Sequence, residues 1–118
     1  MASTHNVELL KRLYERFNAR DIETVLATLH EDVLWANGME GGYVRGREGV
    51  RRYWTRQWAL INPHVEPTGF STGPDGEVVV EVHQTVHDLM GNLLSDQRVA
   101  HSYRFEDGLI GRFDIRTR

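Results

Sequence analysis

Two hydrophobic periods divide this chain of 118 residues. Up to Trp58 apolar side chains recur every three or four positions, which is the period of one helix face. From Glu77 onward they recur at every second position, which is the period of a strand. Helices first and long strands afterwards predict an α+β class, with the helices packed on one face of a curved sheet.

Leu10, Leu13, Tyr14 and Phe17 mark the inner face of a first helix, capped by Thr4 or Asn6 and ended by Asn18-Ala19-Arg20. Asp21 is the expected N-cap of a second helix, with Ile22, Val25, Leu26 and Leu29 on its apolar face. Val33 to Asn37 reads as a short strand, and Gly38, Gly41 and Gly42 as a loop. Arg47 to Trp58 reads as a third helix that buries Val50, Tyr53, Trp54 and Trp58. A strand over His64 to Ser71 carries Pro67, which predicts an edge or a bulge. Turn signals at Gly73-Pro74-Asp75-Gly76, Gly91-Asn92 and Asp107-Gly108 then separate strands over Glu77 to Asp88, Leu94 to Phe105 and Leu109 to Arg116.

Composition narrows the function classes. The absence of cysteine excludes disulfides, thiolate zinc sites and cysteine nucleophiles. A formal charge of −3 and a pI near 6.0 give no general nucleic-acid footprint. Arg45, Arg47, Arg51, Arg52 and Arg56 do gather at the third helix, but Glu48 interrupts them and such a run reads first as a solvated face. No apolar run approaches the roughly 20 residues of a membrane span. The segment from Met1 to Asn6 has no signal-peptide pattern, so a cytoplasmic protein of one domain, residues 1–118, is expected. Gly38-Met39-Glu40-Gly41-Gly42 lacks the phosphate-loop pattern, and no cofactor is expected. His83 and His87 have zinc-pair spacing, but four residues of strand span about 13 Å, too far for one ion, so no metal site is expected.

Four segments in this order carry a family resemblance: Tyr14 to Asp21 (YERFNARD), His30 to Val33, Gly46 to Val50, and Tyr103 to Ile110. Together they resemble the nuclear transport factor 2-like superfamily, in its SnoaL-like and ketosteroid-isomerase-like branch. The resemblance implies a cone-shaped α+β barrel, a cystatin-like roll in which three helices and a strongly curved antiparallel sheet enclose a pocket. It also implies a homodimer through the sheet. Fold alone does not settle function. At the positions resembling the isomerase's base and two oxyanion donors, this chain has Asn37, Leu13 and His101. All three have changed, which argues against ketosteroid isomerisation. The nearest match to an epoxide-hydrolase pattern is Asp96-Gln97-Arg98, at a strand start.

Alternation puts Val99, His101, Tyr103 and Phe105 on one face of their strand, which by the resemblance is the pocket face. His101 is the first candidate for acid/base chemistry, since an imidazole titrates near neutral pH. Its alternative role is that of a hydrogen-bonding wall residue. His83, with Glu81 on the same face, is a second candidate, and whether that face is inner or outer stays open. Asn37 is a third, placed to orient a polar ligand group or to satisfy loop backbone. Tyr14, Phe17, Trp35, Trp58, Tyr103 and Phe113 are the expected pocket wall; Tyr53 and Trp54 read first as core. The leading expectation is a hydrophobic pocket for an apolar or aromatic small molecule, with isomerase, cyclase or hydrolase chemistry open. A non-catalytic binding or dimerisation module is the alternative. Neither nucleic acid nor membrane is an expected partner.

Overall fold

The computed structural model describes residues 3–117. Met1, Ala2 and Arg118, part of the terminal segments read above, lie outside the described residues. The elements are α1 (Thr4–Asn18), α2 (Ile22–Leu26), β1 (Leu29–Ala36), β2 (Tyr43–Arg45), α3 (Gly46–Leu60), β3 (Ile61–Thr72), β4 (Val78–Asp88), β5 (Leu93–Glu106) and β6 (Leu109–Thr117). The six strands form one unclosed sheet in the order β2-β1-β6-β5-β4-β3.

The expected α+β architecture is present, with several local corrections. Ser3, not Thr4 or Asn6, caps α1: its side chain accepts from the backbone N–H of Asn6. The helix does end at Asn18-Ala19-Arg20, with Arg20 in the left-handed region at φ 63° and its N–H returned to the Phe17 carbonyl. Leu29 belongs to β1 rather than to α2. It completes the i, i+3, i+4, i+7 spacing of Ile22, Val25 and Leu26, which suits a helix, but the Ile110 N–H captures the Thr28 carbonyl and draws the chain onto β6. That pairing of β1 with β6 is parallel, the one departure from an antiparallel sheet. The short strand β2 gave no sequence signal; the loop at Gly41 and Gly42, both at positive φ, folds it back antiparallel onto β1. Pro67 sits on an edge strand and at a bulge between Pro67 and Gly69, so both expectations held together.

The core is continuous between the helices and the inner face of the sheet. Leu10, Val25, Leu29, Val33, Val50, Trp54 and Tyr103 are essentially fully buried in it. One polar contact ties α1 to the edge of the sheet. The Asn18 side-chain amide donates to the Val65 carbonyl at 2.8 Å and accepts from the Val65 N–H at 3.0 Å. It satisfies two backbone groups that an edge strand would otherwise leave unpaired. Asn18→Ala is therefore expected to cost about 2 kcal/mol in urea denaturation. Asn18→Asp, which keeps an acceptor but loses the donor, should fall between the two.

Candidate functional site

A cavity of about 340 Å³ lies between α1, α3 and the inner face of the sheet. That volume falls in the range of small-molecule sites. Register decides which side chains reach it. On β4 the inward set is Val80, Val82, Gln84 and Val86; on β5 it is Ser95, Gln97, Val99, His101 and Tyr103. On β6, Phe113 and Ile115 face inward, paired with Tyr103 and His101. Tyr14, Phe17, Trp35, Tyr103, Phe113 and His101 all line the cavity, as read from the sequence. Tyr53 and Trp54 are core residues that line it as well.

Three expected site residues are elsewhere. His83 lies on the opposite face of β4, where its Nε2 meets Asp96 Oδ1 at 2.6 Å in an exposed pair. Alternation fixed its grouping with Glu81, but only the packing of the helices decided which group turned outward. His87 shares that outer face, four residues along the same strand from His83. Asn37 folds into its own loop: its Oδ1 accepts from the N–H groups of Met39 and Glu40, and its Nδ2 donates to Glu40. Trp58 packs beside Phe17 and Trp54 and under the Arg20 guanidinium instead of on the cavity wall.

The inner end of the cavity holds a buried polar chain. The Tyr103 hydroxyl lies 2.9 Å from the Tyr14 hydroxyl, which lies 2.7 Å from His101 Nδ1. Tyr14 and His101 are stacked at 9° and Phe113 meets His101 edge-on. The chain has one favourable direction. Tyr14 is the sole partner of the Tyr103 hydroxyl among the described residues, so Tyr103 must donate to it or bury an unpaired hydrogen at about 1–3 kcal/mol. Tyr14, accepting from Tyr103, donates its own hydrogen to His101 Nδ1. The ring proton of the neutral imidazole then sits on Nε2. Burial holds His101 neutral, with its pKa lowered to about 3, and burial also raises both tyrosines above their ordinary range. His101 is thus a neutral N–H donor near pH 7.

None of the described residues lining this cavity is Asp, Glu, Lys or Arg. Among its other polar side chains are the Tyr53 hydroxyl and Gln57, Gln84, Gln97 and Ser95, the last four of which the sequence reading did not single out. Alternation from His101 back along β5 would have found Ser95 and Gln97.

Three of the four arginines on the third helix are engaged within the fold. Arg47 donates to the Leu29 carbonyl, Arg51 pairs with Glu23 and Glu48, and Arg56 pairs with Glu40. His30, Glu106 and Asp107 bring possible ligand atoms within 4.8 Å of one another, apart from the cavity and with both carboxylates exposed.

A family model described as a SnoaL-like domain matches residues 10–113. The chain belongs to the SnoaL-like family. Solved structures agree with this fold. TerC, co-crystallised with polyporic acid, is 27% identical with a TM-score of 0.84, over 98% of this chain and 92% of TerC. An NTF2-like protein of unknown function from Burkholderia pseudomallei is 26% identical with a TM-score of 0.85, over 98% of this chain and 92% of that one. A Mycobacterium tuberculosis protein in complex with estradiol-17β-hemisuccinate has the same fold at 18% identity and a TM-score of 0.79, over 94% and 92% of the two chains. No curated protein matches the chain. This SnoaL-like domain has a largely aromatic and apolar cavity, partly open to solvent, with His101 among its buried polar residues, and none of its described helices is long and apolar enough to cross a membrane.

Proposed function

We propose that this SnoaL-like domain binds a neutral, apolar or aromatic small molecule and holds one of its oxygens on the Nε2–H of His101. The observation that carries the reading is the hydrogen-bonded chain from Tyr103 through Tyr14 to His101 in a cavity lined by no charged side chain among the described residues. A neutral donor at the end of an aromatic slot suits a carbonyl or phenol oxygen. It polarises a bound carbonyl but does not remove a proton, because Nδ1 already accepts from Tyr14. Acid/base isomerase, cyclase or hydrolase chemistry would need a base that the described lining does not offer, so the non-catalytic binding alternative gains weight. The TerC complex with polyporic acid supports a small-molecule ligand.

The reading includes a cytoplasmic setting. It also includes pairing of two copies through the outer sheet face. There Asp96 and Asp114 alternate with Arg98 and Arg112, so a twofold copy can meet opposite charge. Native mass spectrometry of the purified protein should give about twice the 13.6 kDa chain mass. A monomer would remove the pairing.

The binding claim is tested with biphenyl-4-ol and biphenyl, followed by the fluorescence of Trp35 and Trp54 on the cavity wall. His101→Phe should weaken biphenyl-4-ol about tenfold and leave biphenyl unchanged, as the loss of one buried hydrogen bond requires. Equal affinity of biphenyl-4-ol for both proteins would refute the role given to His101.

A further inference from the structure

The wall facing the cavity is polar at two places and apolar between them. The inner place is the His101 donor. The second is formed by Gln84 and Gln97, which face each other across β4 and β5, with Ser95 one inward step further along β5. Gln97 is exposed and Gln84 and Ser95 are half-buried, whereas His101 is 5% exposed, so this second place lies toward solvent. His101 and Gln97 are four residues apart on β5, a span of about 13 Å. Val99 lies between them on the strand, and the buried Val65 backs Gln84 from β3.

These amides are not structural. Neither glutamine side chain nor the Ser95 hydroxyl has a hydrogen-bond partner among the described residues, unlike Gln57, which donates to the Tyr53 hydroxyl. Nothing in the strand demands them either. At the same face positions the neighbouring turns of the pattern are Val82, Val86 and Val99, and valine is the better strand residue. Two glutamine amides side by side present both donors and acceptors. They match a hydroxyl, carbonyl or amide, and they offer no counter-charge to an ion.

We propose that the cavity reads its ligand at both ends: an elongated neutral aromatic or polycyclic molecule, with one oxygen on His101 and a second neutral polar group on the Gln84–Gln97 pair. This rests on the small-molecule reading above and adds the length and second functional group of the ligand class. A ligand with one polar group leaves the pair hydrated; a ligand with two replaces that water and gains a further hydrogen bond.

The test compares biphenyl-4-ol, biphenyl-4,4′-diol and 4′-hydroxybiphenyl-4-carboxylate against the natural chain and the variant Gln84→Leu/Gln97→Leu. The diol should bind the natural chain about fivefold more tightly than biphenyl-4-ol, the worth of one hydrogen bond made at a partly exposed pair in exchange for water. The double variant should lose that advantage and keep its affinity for biphenyl-4-ol, which also shows that it is folded. The single variants Gln84→Met and Gln97→Met give the same comparison with smaller disturbance. The carboxylate should bind more weakly than the diol, because no cationic side chain among the described residues lines the cavity. Equal binding of mono-ol and diol, or a diol advantage that survives in the variants, overturns the two-ended reading while leaving the His101 site intact. A carboxylate that binds more tightly than the diol overturns its neutrality. Failure of all three compounds to bind the natural chain overturns the two-ended reading together with the small-molecule reading beneath it.

Discussion

Tyr14→Phe is expected to destabilise the protein by about 2–4 kcal/mol, and Tyr103→Phe by about 1 kcal/mol or less. The two substitutions delete the same atom from neighbouring rings in one buried chain, so their difference reports position in the chain. Without the Tyr14 hydroxyl, the Tyr103 hydrogen and His101 Nδ1 both lose their side-chain partner while almost wholly buried. Without the Tyr103 hydroxyl, Tyr14 still donates to His101, and all that is lost is one acceptor interaction on its oxygen. Denaturation of both variants in urea at neutral pH measures the difference. Equal costs, or a larger cost for Tyr103→Phe, would mean that the chain runs the other way and that Nε2 is an acceptor.

Acidification is expected to weaken the fold well above the pH range in which carboxylates titrate. His101 takes up a proton near 6.5 in the unfolded chain and only near 3 in the folded one. Between those values the unfolded state binds the extra proton, so stability is full above about pH 6.5 and falls as pH drops. The slope approaches 1.4 kcal/mol per pH unit, or about 2–3 kcal/mol between pH 6.5 and 4.5. Nothing packed against the ring offsets this. Its neighbours are Tyr14 on α1, Tyr103 on β5 and Phe113 on β6, with no carboxylate among them. His101→Gln keeps an acceptor for Tyr14 and removes the titration. Its urea midpoint should fall less over this window than that of the natural chain. Parallel pH profiles for the two proteins would show that His101 is not held neutral by burial.

The two tests probe residues that the sequence put on the pocket face and that line the cavity. His101, Tyr103 and Phe113 were legible because strand alternation sorts residues into faces without any knowledge of contacts, and the family resemblance then chose the face. Where alternation offered two faces and nothing chose between them, as for His83, the residue went to the outer side with Asp96. Asn37 carried its family position, but the glycines after it let the loop curl back, so its amide satisfies backbone N–H groups. Trp58 followed the helix period, yet lies beside the cavity wall and not on it, because Phe17 and Trp54 stand between.

By itself the sequence determined the order of elements, the turns and the two faces of each long strand, since these depend on period, capping and φ preference over a few neighbouring residues. It also determined that no thiol chemistry is present. Tertiary structure decided which face turned inward, that β1 pairs in parallel with β6, and that Asn18 seals the edge at Val65. It also decided that residues 87 and 89 positions apart, Tyr14 with His101 and Tyr14 with Tyr103, share one chain of hydrogen bonds. Such contacts come from helix packing on a curved sheet. The protonation of His101 and the polarity of its free nitrogen follow from burial and partners, and neither is a property of a residue read alone.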